Sequence, residues 1–161
     1  MEKELEQAVR LRSEGRLNES NEQLVRLAER HPDDARVNFQ CAWSFDVLGQ
    51  EAAAVPYYER AIAAGLPDEE LKRALLGLGS TYRTLGDYEK SAAVFNRGTE
   101  VFPEDRALQV FRAMTLYNLG EHARAMELLL RNLADTTSDG GIRSYGQAIR
   151  FYSDKLDTIW K

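Results

Sequence analysis

Cysteine, histidine and long apolar runs are scarce in this sequence of 161 residues. There is one cysteine, Cys41, and there are two histidines. One thiol excludes an internal disulfide, and so few ligands do not make a zinc site of ordinary spacing. No run approaches the 18 apolar residues of a membrane span, and the charged first 15 residues have no apolar signal-peptide core. We therefore expect a cytoplasmic protein with no cofactor, metal or membrane partner.

Positive charge is also in deficit, with 21 lysines and arginines against 26 acidic residues and a net charge of −5. Nucleic-acid binding depends on basic side chains that neutralise phosphates, so no nucleic-acid partner is expected. The string GLGS at 77–80 lacks P-loop spacing, and no nucleophile and base can be paired from the sequence. We therefore expect a protein that is not an enzyme.

The sequence does contain a recurring pattern around four glycines, Gly15, Gly49, Gly86 and Gly120, which lie 34, 37 and 34 residues apart. Such a period is typical of stacked helical hairpins. Small residues lie seven before and five after each glycine: Ala8, Ala42, Gly79, Ala113, and Ser20, Ala54, Ser91, Ala125. Large residues lie four before and nine after: Leu11, Phe45, Tyr82, Leu116, and Leu24, Tyr58, Phe95, Leu129. Paired helices pack closely where a small residue admits a large one, so the pattern predicts four helix pairs.

The pattern predicts nine helices in an all-α fold. The four pairs are 2–14 with 18–31, 34–48 with 51–64, 69–85 with 88–101, and 104–119 with 121–134. The 37-residue step predicts a longer connection near 63–70. After a polar loop at 135–141, apolar residues at spacings of three and four predict a ninth helix, which would cap the last pair.

These residues resemble the tetratricopeptide repeat family, and the third repeat resembles it most. The matching residues there are Leu78, Gly79, Tyr82, Gly86, Tyr88, Ser91, Phe95 and Pro103. The family's tryptophan near the repeat start is absent from all four repeats. The resemblance implies a right-handed superhelical solenoid of antiparallel helix pairs in a single domain, 1–161. Its repeats would span about 1–34, 35–70, 71–105 and 106–136, with a C-terminal capping helix at about 140–160.

The resemblance also implies a concave groove lined by the first helix of each pair. The implied positions lie ten and six residues before each glycine: Leu5, Val9, Phe39, Trp43, Leu76, Ser80, Val110 and Met114. Charged or polar residues would lie at the groove edges: Arg12, Arg36, Asp46, Arg73, Arg83 and Tyr117. The groove is apolar and lacks the basic residues with which part of the family binds carboxylates.

Three occupants are compatible with such an apolar groove: a partner's amphipathic helix, a second copy of this chain, or the chain's own neighbouring helices. We expect a non-catalytic scaffold that binds a protein or peptide segment, with Phe39 and Trp43 as anchors and Arg36, Arg73 and Arg83 facing acidic residues of the ligand. The alternative is a self-associating module that forms a homodimer through the groove or the C-terminal helix.

Overall fold

The protein is described here by a computed structural model of residues 1–161, which contains α-helices and no strands. The ten helices are α1 Glu2–Ser13, α2 Leu17–Arg30, α3 Ala35–Val47, α4 Glu51–Ala64, α5 Asp68–Thr84, α6 Tyr88–Val101, α7 Arg106–Asn118, α8 His122–Thr136, α9 Gly140–Ser144 and α10 Gly146–Tyr152. None of them combines the length and apolar character that crossing a bilayer requires. The prediction of an all-α fold of helix pairs is confirmed.

The chain divides into two compact units, Met1–Val94 and Phe95–Lys161, where the sequence predicts one domain. In the first unit each helix from α1 to α5 packs on the next, and α3 also contacts α1 and α5. Within the first pair, residues near the turn contact each other and residues far from the turn contact each other: Ser20 bonds to Ala8, and Arg30 bonds to Glu4. This order of contacts means that the two helices are antiparallel.

Glycines in the left-handed backbone region end the first helix of each pair. Gly15, Gly86 and Gly120 have φ of 80°, and Gly49 has φ of 69°. A side chain is strained at such angles, which is why glycine recurs at these four positions.

Small residues then allow the paired helices to approach. Ala8 and Ala54 are fully buried, and the Ser20 hydroxyl donates to the Ala8 carbonyl at 2.7 Å. The Ser91 hydroxyl makes the same bond to the Gly79 carbonyl at 2.7 Å. The small–large alternation in the sequence therefore corresponds to helix contacts.

The three extra residues of the second step lengthen α5 and not the connection before it. Helix α5 has 17 residues whereas α3 has 13. Three residues separate α4 from α5, and four separate α2 from α3. The predicted longer connection is wrong, because the acidic residues after Pro67 form a further helical turn in which they face the positive end of the helix dipole.

In the second unit, α7 packs on α8 and α10 packs on α8. Asp135 near the end of α8 pairs with Arg106 of α7 at 2.9 Å and with Arg150 of α10 at 2.8 Å. Phe95 at the start of this unit is fully buried. Part of the C-terminal segment thus covers the last helix pair.

The prediction of one helix over about 140–160 is wrong. Two short helices, α9 and α10, meet at Tyr145, and no helix continues beyond Tyr152. Gly146 lies at the break and favours it, since a glycine in a helix interior costs about 1 kcal/mol relative to alanine. The predicted apolar stripe is therefore not one buried face: Tyr145 and Ile159 are 69% and 84% exposed.

Candidate functional site

A cavity of about 530 Å³ lies in the first unit, bounded by α3, α4 and α5. Helices α3 and α5 are the first helices of successive pairs, and α4 lies between them in the chain. The apolar lining consists of Phe39, Trp43, Val47, Tyr58, Leu76 and Gly77. The polar lining consists of Asp46, Glu51, Arg73, Ser80, Thr81 and Thr84. The volume is in the range of sites that hold a small ligand or a few side chains.

Three aromatic rings form one end of this cavity. The Phe39 ring centroid lies 5.9 Å from that of Trp43 and 6.4 Å from that of Tyr58. Phe39 is only 2% exposed, whereas Trp43 is half-buried. Phe39 therefore belongs to the protein core and forms the cavity floor, while the Trp43 ring is partly accessible at the cavity wall.

Trp43 is held in place by a cation. The Arg12 guanidinium lies 4.2 Å from the Trp43 ring centroid, and its Nη2 donates to Gln40 Oε1 at 2.6 Å. Burial lowers the pKa of Arg12, but an arginine stays charged at any ordinary pH. This cation–π contact fixes the Trp43 ring at the cavity wall.

Asp46 is the polar centre of the site. Its Oδ2 accepts from the Tyr58 hydroxyl at 2.6 Å, and its Oδ1 accepts from the Thr81 hydroxyl at 3.1 Å. Burial raises the pKa of Asp46, the two hydroxyl donors lower it, and the nearby Glu51 raises it. The pKa of Tyr58 is also raised, first by burial and then by Asp46. These bonds join α3, α4 and α5 at one carboxylate.

The absence of a side chain at Gly77 leaves room for the Tyr58 ring. A Cβ on Gly77 would lie 2.5 Å from the Tyr58 hydroxyl oxygen and 2.6 Å from its Cζ. The GLGS string at 77–80 is therefore part of α5, and its first glycine makes room for an aromatic ring.

Four of the predicted groove residues meet at this cavity: Phe39, Trp43, Leu76 and Arg73. The edge residue Asp46 and the position Ser80 line it as well. Sequence reasoning missed the contribution of Tyr58 and Thr81. The sequence pattern assigns Tyr58 only to packing, although its hydroxyl is a signal that it can also form a hydrogen bond.

The remaining predicted residues of the first unit lie elsewhere. Leu5 and Val9 line a separate depression of about 160 Å³, where Leu5 is itself buried. Arg36 lines the same depression and pairs with Glu70 at 3.1 Å and with Glu2 at 3.7 Å. Arg83 is half-buried on α5 and is not part of the cavity lining.

Three predicted residues lie in the second unit, all on α7. Val110 is half-buried, Met114 is more exposed, and Tyr117 is 63% exposed. The Tyr117 ring lies 4.9 Å from that of His122 at the start of α8. Their role in binding stays a prediction.

Helix pairs with a recurring glycine turn and small–large packing define a helical-repeat protein. A tetratrico peptide repeat model matches residues 35–156 of the chain. The chain belongs to the tetratricopeptide repeat family. This repeat is a scaffold of the non-catalytic interaction type, and such domains typically bind protein partners.

A characterised relative is Superkiller protein 3 of Saccharomyces cerevisiae, which is 27% identical over 94 residues. The alignment covers 54% of this chain and 6% of that protein. The chain thus corresponds to a small part of that relative's length.

Proposed function

We propose that this protein is a non-catalytic scaffold that binds an amphipathic segment of a partner protein in the cavity between α3 and α5. The observation that supports this best is a wall of apolar side chains, chiefly Trp43, Leu76 and Val47, around a cavity of about 530 Å³. A mostly apolar cavity with a few polar groups is a usual place for a binding site. Each apolar side chain that a ligand buries there contributes roughly 1.5–3 kcal/mol.

A helical segment suits the shape of the site. The cavity follows two neighbouring helices, from Arg73 to Thr84 on α5 and from Phe39 to Val47 on α3. Eleven residue steps of helix extend about 16 Å, which equals three turns of a bound helix. A ligand helix with apolar residues at i, i+3, i+4 and i+7 would present one stripe to these walls.

Trp43 is the anchor that this proposal tests. A library of displayed helical peptides is panned on the whole chain, and affinities of the selected peptides are measured for the wild type and for Trp43→Ala. The variant should lose affinity by tenfold or more, since a half-buried tryptophan in such a site often contributes about 2 kcal/mol or more. Tyr145→Ala is the matched control, because Tyr145 is an exposed aromatic residue of the other unit.

Circular dichroism separates loss of binding from loss of fold. Trp43→Ala should keep its helicity, because Phe39 and Tyr58 fill the interior beneath the tryptophan. Selected peptides that bind Trp43→Ala as tightly as the wild type would place the binding site elsewhere. An unfolded Trp43→Ala would show that the residue belongs to the core.

We also infer that the cavity is not a catalytic site. Its hydroxyl groups include Ser80, Thr81 and Thr84, and its carboxylates are those of Asp46 and Glu51. The Asp46 carboxylate accepts one bond on each oxygen, from Tyr58 and Thr81, and the cavity lining contains no histidine or cysteine. The arrangement supports binding rather than activation of a nucleophile. The cytoplasmic location stays a prediction from the single cysteine and from the lack of long apolar runs in the sequence.

The second candidate function is self-association through the C-terminal segment. Phe151, Tyr152 and Trp160 form a cluster of rings with centroids 5.1 to 6.3 Å apart, and about half of each side chain is exposed. Light scattering after size exclusion gives the molar mass over a wide concentration range. A mass near 18.3 kDa throughout would exclude a homodimer, and a mass twice as large that Trp160→Ala halves would place the interface at this cluster.

A further inference from the structure

We propose that the cavity selects its ligand through a basic side chain, a lysine or arginine of the bound protein segment, which pairs with Asp46. This inference rests on the proposed function of the cavity and adds a chemical class to its ligand. The argument starts from the partners of Asp46 in the free chain.

Asp46 has hydrogen bonds but no counter-ion. Its two bonds come from neutral hydroxyl groups, those of Tyr58 and Thr81. None of the groups that shift the pKa of Asp46 is a cation, and the charged group among them is another acid, Glu51. Each carboxylate oxygen can accept a second bond, so Asp46 retains acceptor capacity toward the cavity that it lines.

An uncompensated carboxylate is costly in these surroundings. Asp46 is half-buried next to the apolar wall formed by Trp43 and Val47. Burying a charge without a counter-ion is unfavourable, and an asparagine could hold the same two hydroxyls without that cost. A charge kept at such a place is explained when the ligand supplies the opposite charge.

The distribution of charge along the cavity also favours a basic ligand side chain near Asp46. Asp46 and Thr84 lie in the last turns of α3 and α5, where the helix dipoles place negative potential. Glu51 lines the same end, and its carboxylate offsets the positive dipole end of α4, in whose first turn it lies. Arg73, the cation in the lining, lies eight residues before Thr81 on α5, or about 12 Å along the helix axis.

A lysine or arginine side chain fits both the apolar wall and the carboxylate of the site. Its aliphatic stem would lie along Trp43 and Leu76, and its charged end would reach the Asp46 oxygens. An acidic residue two helical turns away on the same ligand would face Arg73. A purely apolar segment would leave Asp46 buried further and still unpaired, so the cavity discriminates against it.

Three small probes of equal chain length test the charge preference directly: n-hexylammonium, n-hexanol and n-hexanoate, titrated at constant ionic strength. Backbone amide shifts of Gly77, Ser80 and Thr81 report occupancy of the cavity. The wild type should bind hexylammonium about tenfold more tightly than hexanol, because a charge-assisted bond is added, and hexanoate should bind most weakly.

Asp46→Asn should abolish the preference for hexylammonium and leave hexanol binding unchanged. Asp33→Asn is the matched control, since it removes the same charge from an exposed turn outside the cavity and should keep the preference. Equal binding of hexanol or hexanoate by the wild type would overturn the proposal, and so would a preference that survives in Asp46→Asn. The wild-type comparison decides even if the variant fails to fold.

The peptides selected on the whole chain separate this inference from the proposed function. They should carry a lysine or arginine whose replacement by norleucine weakens binding to the wild type but not to Asp46→Asn. Peptides that depend on Trp43 but carry no such residue would overturn the charge preference and leave the scaffold function standing. Peptides indifferent to Trp43 would place the scaffold's binding site outside this cavity, while the hexylammonium titration still reports on Asp46.

Discussion

Gly77→Ala should destabilise the protein, although alanine is the better helix former. At an unobstructed position inside a helix the change stabilises by about 1 kcal/mol. In α5 the new Cβ would lie 2.5, 2.6 and 2.9 Å from the hydroxyl oxygen, Cζ and Cε1 of Tyr58. Contacts this short force either the ring or the helix to move.

The size of the effect follows from what holds Tyr58. The ring is 3% exposed, and its hydroxyl donates to Asp46 at 2.6 Å. Overpacking costs about 1–3 kcal/mol, and weakening a bond to a charged group costs about 1.5–3 kcal/mol. Since the helix gain offsets only about 1 kcal/mol, we expect a net loss of about 1.5–5 kcal/mol.

Urea unfolding followed by circular dichroism measures this loss. Gly140→Ala is the control, because a Cβ at this helical glycine would meet nothing within 4 Å. The control should be unchanged or slightly more stable. A Gly77→Ala protein as stable as the wild type would refute the reasoning, because Tyr58 would then move without cost.

Three further outcomes are expected. Ser20→Ala removes a buried bond to the Ala8 carbonyl, and urea unfolding should show a loss of about 1 kcal/mol; no loss would mean that the bond contributes nothing net. Burial raises the pKa of the Cys41 thiol to about 12, so a maleimide at pH 8 should label it only after denaturation; fast native labelling would contradict its burial. Because the pKa of Asp46 is raised above its ordinary 3.8 in the folded state, its contribution to stability is complete below that pH and falls as the group ionises. Asp46→Asn should therefore gain stability relative to the wild type as the pH rises above 3.8 in a urea series, and a constant difference would contradict the shift.

The helix pairs could be predicted because their causes are local and repeated. The glycine turns and the small–large alternation gave 34–48 and 51–64, and the structure has α3 at Ala35–Val47 and α4 at Glu51–Ala64. Each of these signals depends on sterics within about a dozen residues, so the sequence contains it in full.

The C-terminal helix was predicted from periodicity alone, and there the local signals disagreed. Ile142, Tyr145, Ile149 and Tyr152 have helical spacing, but glycines at 140, 141 and 146 weaken the helix. Tertiary packing did not compensate, since Tyr145 and Tyr152 remain largely exposed. The balance between a periodic stripe and its glycines depends on contacts that the pattern does not contain.

The groove positions were predicted by taking the residues ten and six before the glycine in every repeat. The repeats differ, however, in whether these positions line the cavity. Phe39, Trp43, Leu76 and Ser80 line one cavity, whereas the equivalent Leu5 and Val9 line a separate and smaller depression. Position along a helix determines which face a residue is on. Whether that face lies open depends on the sizes of the side chains on the neighbouring helix.

The chemistry of the cavity arises where one repeat departs from the others. The large packing position nine residues after the glycine is leucine or phenylalanine in three repeats, and only in the second repeat is it a tyrosine, Tyr58. That one hydroxyl binds Asp46, and Gly77 leaves the space for it. This hydroxyl at a packing position, together with that of Thr81, thus fixes a carboxylate in an apolar wall. Repetition specifies the scaffold, and this departure from repetition specifies the ligand that we propose.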